Sequence, residues 1–162
     1  MIRCLTVSLA AILPLPAVAL SCMPHSMEAR YKQIAEAKEA SVVVLGTLTF
    51  DAKLLPETDW DNQQKTPPQT NIPARIDGSA LAKSGFNVSF QRDVVLSVLC
   101  YGPWCASAVS GGQMLAFVQK SPEGYVVSTN PCGGDVFTAP SPDMIRKVQQ
   151  CFNGEDCSPA DR

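Results

Sequence analysis

Ser41-Val-Val-Val-Leu-Gly46-Thr-Leu-Thr-Phe50 carries the chemistry of a core β-strand. Val42, Val44, Leu48 and Phe50 fall on one face, Thr47 and Thr49 on the other, and Gly46 marks a bend or bulge. The same period of two returns downstream. Ile72 to Ala82 and Phe86 to Leu99 supply further strands; in the second, Phe86, Val88 and Phe90 alternate with Asn87, Ser89 and Gln91 before the nearly continuous apolar run Val94 to Leu99, which reads as buried sheet. Gln113 to Gln119 and Gly124 to Thr129 bracket Lys120-Ser-Pro-Glu-Gly124, whose proline and glycine suit a hairpin loop.

A helix is expected at each end of this β region. Over Ser26 to Ala40, Met27, Tyr31, Ile34 and Ala35 recur at helical spacing, with Ser26 placed to cap and Glu28 in the first turn. Pro142 to Phe152 follows the cap Ser141, has proline at its first position, aligns Ile145, Val148 and Phe152, and is stopped by Asn153-Gly154. Five strands with a helix near each end suit a small barrel or a sandwich, and composition does not choose between them. No internal repeat is visible.

Between the first two strands, Ala52 to Asn71 is polar and proline-rich, with Glu57, Asp59 and Asp61 around Trp60. Loops of this length inside a domain are functional or disordered. This one is expected to be mobile, with Trp60 either an exposed recognition side chain or folded back over the sheet.

The chain has 162 residues, 46% of them hydrophobic and 17% charged, which is one domain plus a small extra segment. That extra is the N-terminus. Arg3 precedes an apolar stretch, Cys4 to Leu15, too short to span a bilayer, and Ala17-Val18-Ala19 fits the small-x-small pattern for cleavage of a signal peptide covering residues 1–19. Ala19-Leu20-Ser21 offers a second cut, before Cys22. A third reading makes Ala19-Leu20-Ser21-Cys22 a lipobox with Cys22 acylated; it suits the pattern less well, because Ala19 stands where a larger aliphatic residue is usual. A secreted or periplasmic protein without a membrane span, lipid-anchored only on the third reading, is expected.

Seven cysteines in a chain with a single histidine agree with an oxidising compartment. Cleavage removes Cys4 and leaves six, which allow fifteen connectivities that sequence does not resolve. Spacing suggests one of them. Cys100-Tyr-Gly-Pro-Trp-Cys105 encloses a Gly-Pro turn and Cys151-Phe-Asn-Gly-Glu-Asp-Cys157 an Asn-Gly turn, so each pair can close locally, leaving Cys22 for Cys132. A redox role for Cys100 and Cys105 is disfavoured because four residues separate them where redox motifs have two. No metal or cofactor is expected: zinc needs four thiolate or imidazole ligands in close pairs, and the lone His25 is far from any such pair.

Several function classes drop out. A net charge of −2 with no Lys/Arg cluster argues against nucleic acid. A hydrolase needs a nucleophile beside a base, and neither a second histidine nor a Gly-x-Ser-x-Gly element is present. The expectation is a non-enzymatic, monomeric module that binds a protein partner.

Cys22-Met-Pro-His, the helix after it, Ser41 to Gly46, the Val94 to Leu99 run leading to Cys105, Gly112-Gln-Met-Leu-Ala-Phe117 and Gly124-Tyr-Val-Val-Ser-Thr-Asn-Pro-Cys132 together resemble, in this order, the netrin-like module of tissue inhibitors of metalloproteinases and their bacterial relatives. The resemblance covers about Leu20 to Cys132 and implies a disulfide-stapled, five-stranded OB-type barrel, a fold that serves many unrelated partners. In the animal inhibitors the mature chain begins Cys-x-Cys, and the amine and carbonyl of the first cysteine chelate the protease zinc. Leu20-Ser21-Cys22-Met23-Pro24 resembles that start with Leu20 in the place of the first cysteine, which removes the bridge that would hold the amine. The resemblance therefore implies partner binding through Leu20, Ser21, Cys22, Met23 and Pro24, and metalloprotease inhibition as an alternative activity; Trp60 of the long loop is a further candidate contact, read from the loop itself.

Overall fold

A computed structural model describes residues 20–159, so the expected signal peptide, Cys4 included, lies outside the described residues. In chain order the elements are α1 (Met27–Glu36), β1 (Ser41–Phe50), β2 (Gln69–Ala82), β3 (Gly85–Tyr101), β4 (Trp104–Cys105), β5 (Gln113–Ser121), β6 (Gly124–Asn130), β7 (Gly133–Gly134), β8 (Val136–Thr138) and α2 (Pro142–Phe152).

Five of these strands close on one another. β1 pairs antiparallel with β2 on one side and β5 on the other; β2 continues to β3 and β5 to β6, both antiparallel. The ring is closed by a parallel contact, Val95 to Val98 of β3 against Val126 to Thr129 of β6. Sharp coiling is possible because Gly46 and Gly78 face each other across β1 and β2. A Cβ on Gly46 would sit 2.5 Å from the Asp77 carbonyl oxygen and 2.7 Å from the Gly78 Cα, so any side chain would force the two backbones apart.

The ring interior is an apolar core in which Val44, Leu48, Ile72, Ile76, Leu96 and Val127 are almost wholly buried. A second core lies outside it. Val43 of β1 and Leu115 and Phe117 of β5 point away from the ring and are covered by Met27, Tyr31 and Ile34 of α1, Phe137 of β8, and Met144 and Val148 of α2. Phe117 meets the rings of Tyr31 and Phe137 edge-on, with centroids 6.4 and 6.0 Å away. Burial of such a phenyl ring stabilises by roughly 2–3 kcal/mol. β5 is thus apolar on both faces from Met114 to Val118, which explains its unbroken hydrophobic run. The one-sided reading of β1 is corrected for the same reason: Val43 joins the buried set because two helices cover the outer face.

The helices follow their caps. Ser26 and Ser141 accept from the amides of Ala29 and Met144, and Pro142 opens α2 at a position whose amide has no helical partner. α1 stops at Glu36, short of the Ala40 expected, because the apolar stripe ends at Ile34; Ala37 turns extended and its amide returns to the Ile34 carbonyl. The stretch read as a loop from Ala52 to Asn71 contains 3₁₀ turns at Ala52–Leu54 and Gln63–Lys65, and its last residues already belong to β2.

Disulfides join Cys22 to Cys132, Cys100 to Cys105 and Cys151 to Cys157. The first ties the segment before α1 to the turn between β6 and β7. The second links directly opposed residues of β3 and β4, and the third fastens the C-terminal segment to α2. No described helix is long and apolar enough to cross a membrane.

Candidate functional site

The segment before α1 is held at two points. Cys22 is bridged to Cys132, with Cα atoms 5.2 Å apart. Three residues later the imidazole of His25 lies flat on Phe137, centroids 4.0 Å apart and planes 10° from parallel, with Nε2 2.9 Å from the Gly134 carbonyl oxygen. This seat exists because Gly133 has no side chain: a Cβ there would fall 2.4 Å from two carbons of the imidazole. The turn beneath is fixed in its turn, since Asn130 Oδ1 accepts from the Cys132 amide and the Thr129 hydroxyl donates to the Gly133 carbonyl. Anchored in this way, Ser21 to His25 run exposed over the surface, and Met23 keeps 86% of its area in solvent.

Asp135 stabilises the same corner. Its carboxylate accepts from Arg30 Nε of α1 at 2.5 Å and from the Ser128 amide at 3.3 Å, while its own amide and carbonyl bond to Ser128 and Phe117. Burial nevertheless raises its pKa above the ordinary aspartate value. Desolvation prevails because Arg30 is itself a third exposed, so water screens its attraction.

The loop after β1 is organised by its polar side chains. Asp51 caps the first 3₁₀ turn through the Lys53 amide, and Asp59 Oδ1 accepts from the amides of Asp61 and Asn62. The Thr58 hydroxyl donates to the Pro103 carbonyl at 2.6 Å, which pins the loop to the β3–β4 turn, and Thr66 is buried beneath it. Trp60 stays 68% exposed at the tip.

The loop, the β3–β4 turn, the β6–β7 turn and the start of the described chain meet around an open groove of about 500 Å³. Its walls include Leu20, Pro56, Trp60, Pro103, Trp104 and Pro131. Of the residues singled out from sequence, Leu20 and Trp60 meet here, and Cys22 is tied next to Pro131 through Cys132. Ser21, Met23 and Pro24 form the exposed ridge and do not line the groove. Sequence reasoning missed Pro103, Trp104 and Pro131. The signal was present: a tryptophan inside a six-residue disulfide loop must point outward, because so small a ring has no interior to receive an indole.

Elsewhere, a cleft of about 590 Å³ between the starts of α1 and α2 is lined by mixed charges, with Asp143 paired to Arg146. Among the described residues, no three His, Cys, Asp or Glu side chains cluster as metal ligands would. No family model, curated protein or solved structure matches this chain.

Proposed function

We propose that the protein is an exported, non-enzymatic binding module of the netrin-like type, built on an OB-type barrel, that docks a protein partner with the end of the ring where the N-terminal segment and the Trp60 loop converge. The observation that carries this reading is the exposure of Met23 at 86% and Trp60 at 68% on backbone held by a disulfide and by loop-to-turn hydrogen bonds. Large apolar side chains presented on pre-ordered backbone lose little entropy on association and are the usual anchors of interfaces. The ring order β1-β2-β3-β6-β5, closed by a parallel pair, supports an OB-type barrel, whose loops and open face commonly serve as binding surfaces. Three disulfides support an oxidising compartment.

The test is photo-crosslinking in the native host, with a photoreactive residue placed in turn at position 23, 60 or 88. Discrete adducts at 23 and 60 but not at Val88, an exposed site on β3, are expected. Their absence at both positions refutes the reading.

The exposed ridge Ser21 to Pro24, fastened through Cys22, also favours metalloprotease inhibition as a second reading. In that case the secreted protein slows a soluble zinc endopeptidase and loses this effect once its terminal amine is acetylated.

A further inference from the structure

The groove beside Trp60 has a chemistry narrower than a general docking surface. Three of its wall residues, Pro56, Pro103 and Pro131, have no backbone N–H, so these walls offer no ladder for an added β-strand. Its side-chain donors not paired with a protein acceptor among the described residues are the indole N–H groups of Trp60 and Trp104 and the Ser107 hydroxyl. The Thr58 hydroxyl is already committed to Pro103. A ligand suited to these walls is apolar, extended, poor in donors and rich in outward-facing carbonyls.

The charge beside the groove adds a second requirement. Glu57 and Asp61 flank Trp60, both are exposed, and neither takes part in an ion pair among the described residues. Asp59 between them spends one oxygen on backbone amides. Glu57 and Asp61 do not line the groove but are exposed chain neighbours of the wall residues Pro56, Thr58 and Trp60, so this wall carries carboxylates beside it that complement a cation on the ligand.

Resting on the docking reading above, we propose that this groove binds a proline-rich segment of the partner in the polyproline II conformation, with an arginine or lysine placed against Glu57 and Asp61. Such a segment is pre-ordered, has few N–H groups of its own, packs its rings on aromatic faces and presents carbonyls to indole donors. The flanking cation gains from both the carboxylates and the adjacent indole.

The chain has two tryptophans and both line this groove, so intrinsic indole fluorescence reports on it alone. The purified secreted protein is titrated with a synthetic decapeptide, mostly proline, carrying one terminal arginine. A saturable change in emission complete below about 1 mM is expected. A peptide with alanine in place of proline, or glutamate in place of arginine, produces none in the same range. The double variant Glu57→Gln, Asp61→Asn, whose changes lie at exposed positions, weakens binding about fivefold and flattens its salt dependence. Equal binding of the three peptides, no saturable change with the first, or an undiminished affinity in the double variant each overturns the proposal. Adducts at positions 23 and 60 that persist despite a failed titration leave the docking reading standing with a different ligand; loss of both removes the two together.

Discussion

Substitution of Gly133 by alanine tests whether the N-terminal segment is seated as described. The residue sits at φ +121°, a region that is strained by roughly 1–3 kcal/mol for any residue with a side chain. In addition the new methyl would lie 2.4 Å from the His25 ring, too close for either group to stay. Because the turn is fixed by Asn130 and Thr129, the imidazole has to leave. With it goes the stack on Phe137, worth about 0.5–1.5 kcal/mol, and the bond to the Gly134 carbonyl, worth about 0.5–1.5 kcal/mol. The expected loss is thus about 2–6 kcal/mol, measured by urea unfolding with the disulfides intact. His25→Ala alone loses only the ring contributions, about 1–3 kcal/mol. The double variant should be no less stable than Gly133→Ala, since the ring is already displaced, so the two losses fall short of additive by about 1–3 kcal/mol. Additivity within about 0.5 kcal/mol would refute the seat.

The bridges should differ in weight. By loop-closure entropy, Cys22→Ser with Cys132→Ser removes about 5 kcal/mol, whereas Cys100→Ser with Cys105→Ser removes about 2 kcal/mol; denaturant midpoints that rank the other way contradict this. Asp135 has a folded pKa raised by burial, so it supports the fold fully only below the ordinary aspartate value of about 4, and that support is lost as pH rises through its raised value. Asp135→Asn, which keeps an acceptor for the Ser128 amide, should flatten the slope of stability with pH in that window, while Asp135→Ala orphans the amide and loses about 1–3 kcal/mol at every pH; an unchanged slope in the asparagine variant would show that the carboxylate is not the titrating group.

Local chemistry announced the elements with strong local signals. β1 runs from Ser41 to Phe50 and α2 from Pro142 to Phe152, the bounds expected from the strand chemistry and from the Ser141 cap, Pro142 and the Asn153-Gly154 stop. What escaped is set by partners far along the chain. β4, β7 and β8 have two or three residues each, too few to show a period, and become strands only because β3, β6 and β5 lie beside them. The parallel contact of β3 with β6 leaves no local mark either, since Val95-Leu-Ser-Val98 and Val126-Val-Ser-Thr129 do not state which edge they share. Gly46 was legible as a special position, but the cause is the backbone of Gly78 across the sheet, without any slip in the β1 register. The site was half legible for a related reason: Leu20 and Trp60 stood out as individual residues, whereas their meeting with Pro103, Trp104 and Pro131 depends on four separated stretches of chain arriving at one end of the ring.

The long bridge encloses the short one: Cys22 must reach past Cys100 and Cys105 to find Cys132. If the chain is exported as proposed above, N-terminus first, Cys22 meets Cys100 well before its native mate Cys132 is delivered. An oxidase that joins sulfhydryls in order of arrival would trap the wrong couple, and the terminal ridge would be fastened to the β3–β4 turn in place of the β6–β7 turn. On that reading, correct maturation calls for a catalyst that reshuffles disulfides. A host lacking one should yield oxidised chains of the right mass with the N-terminal ridge misplaced.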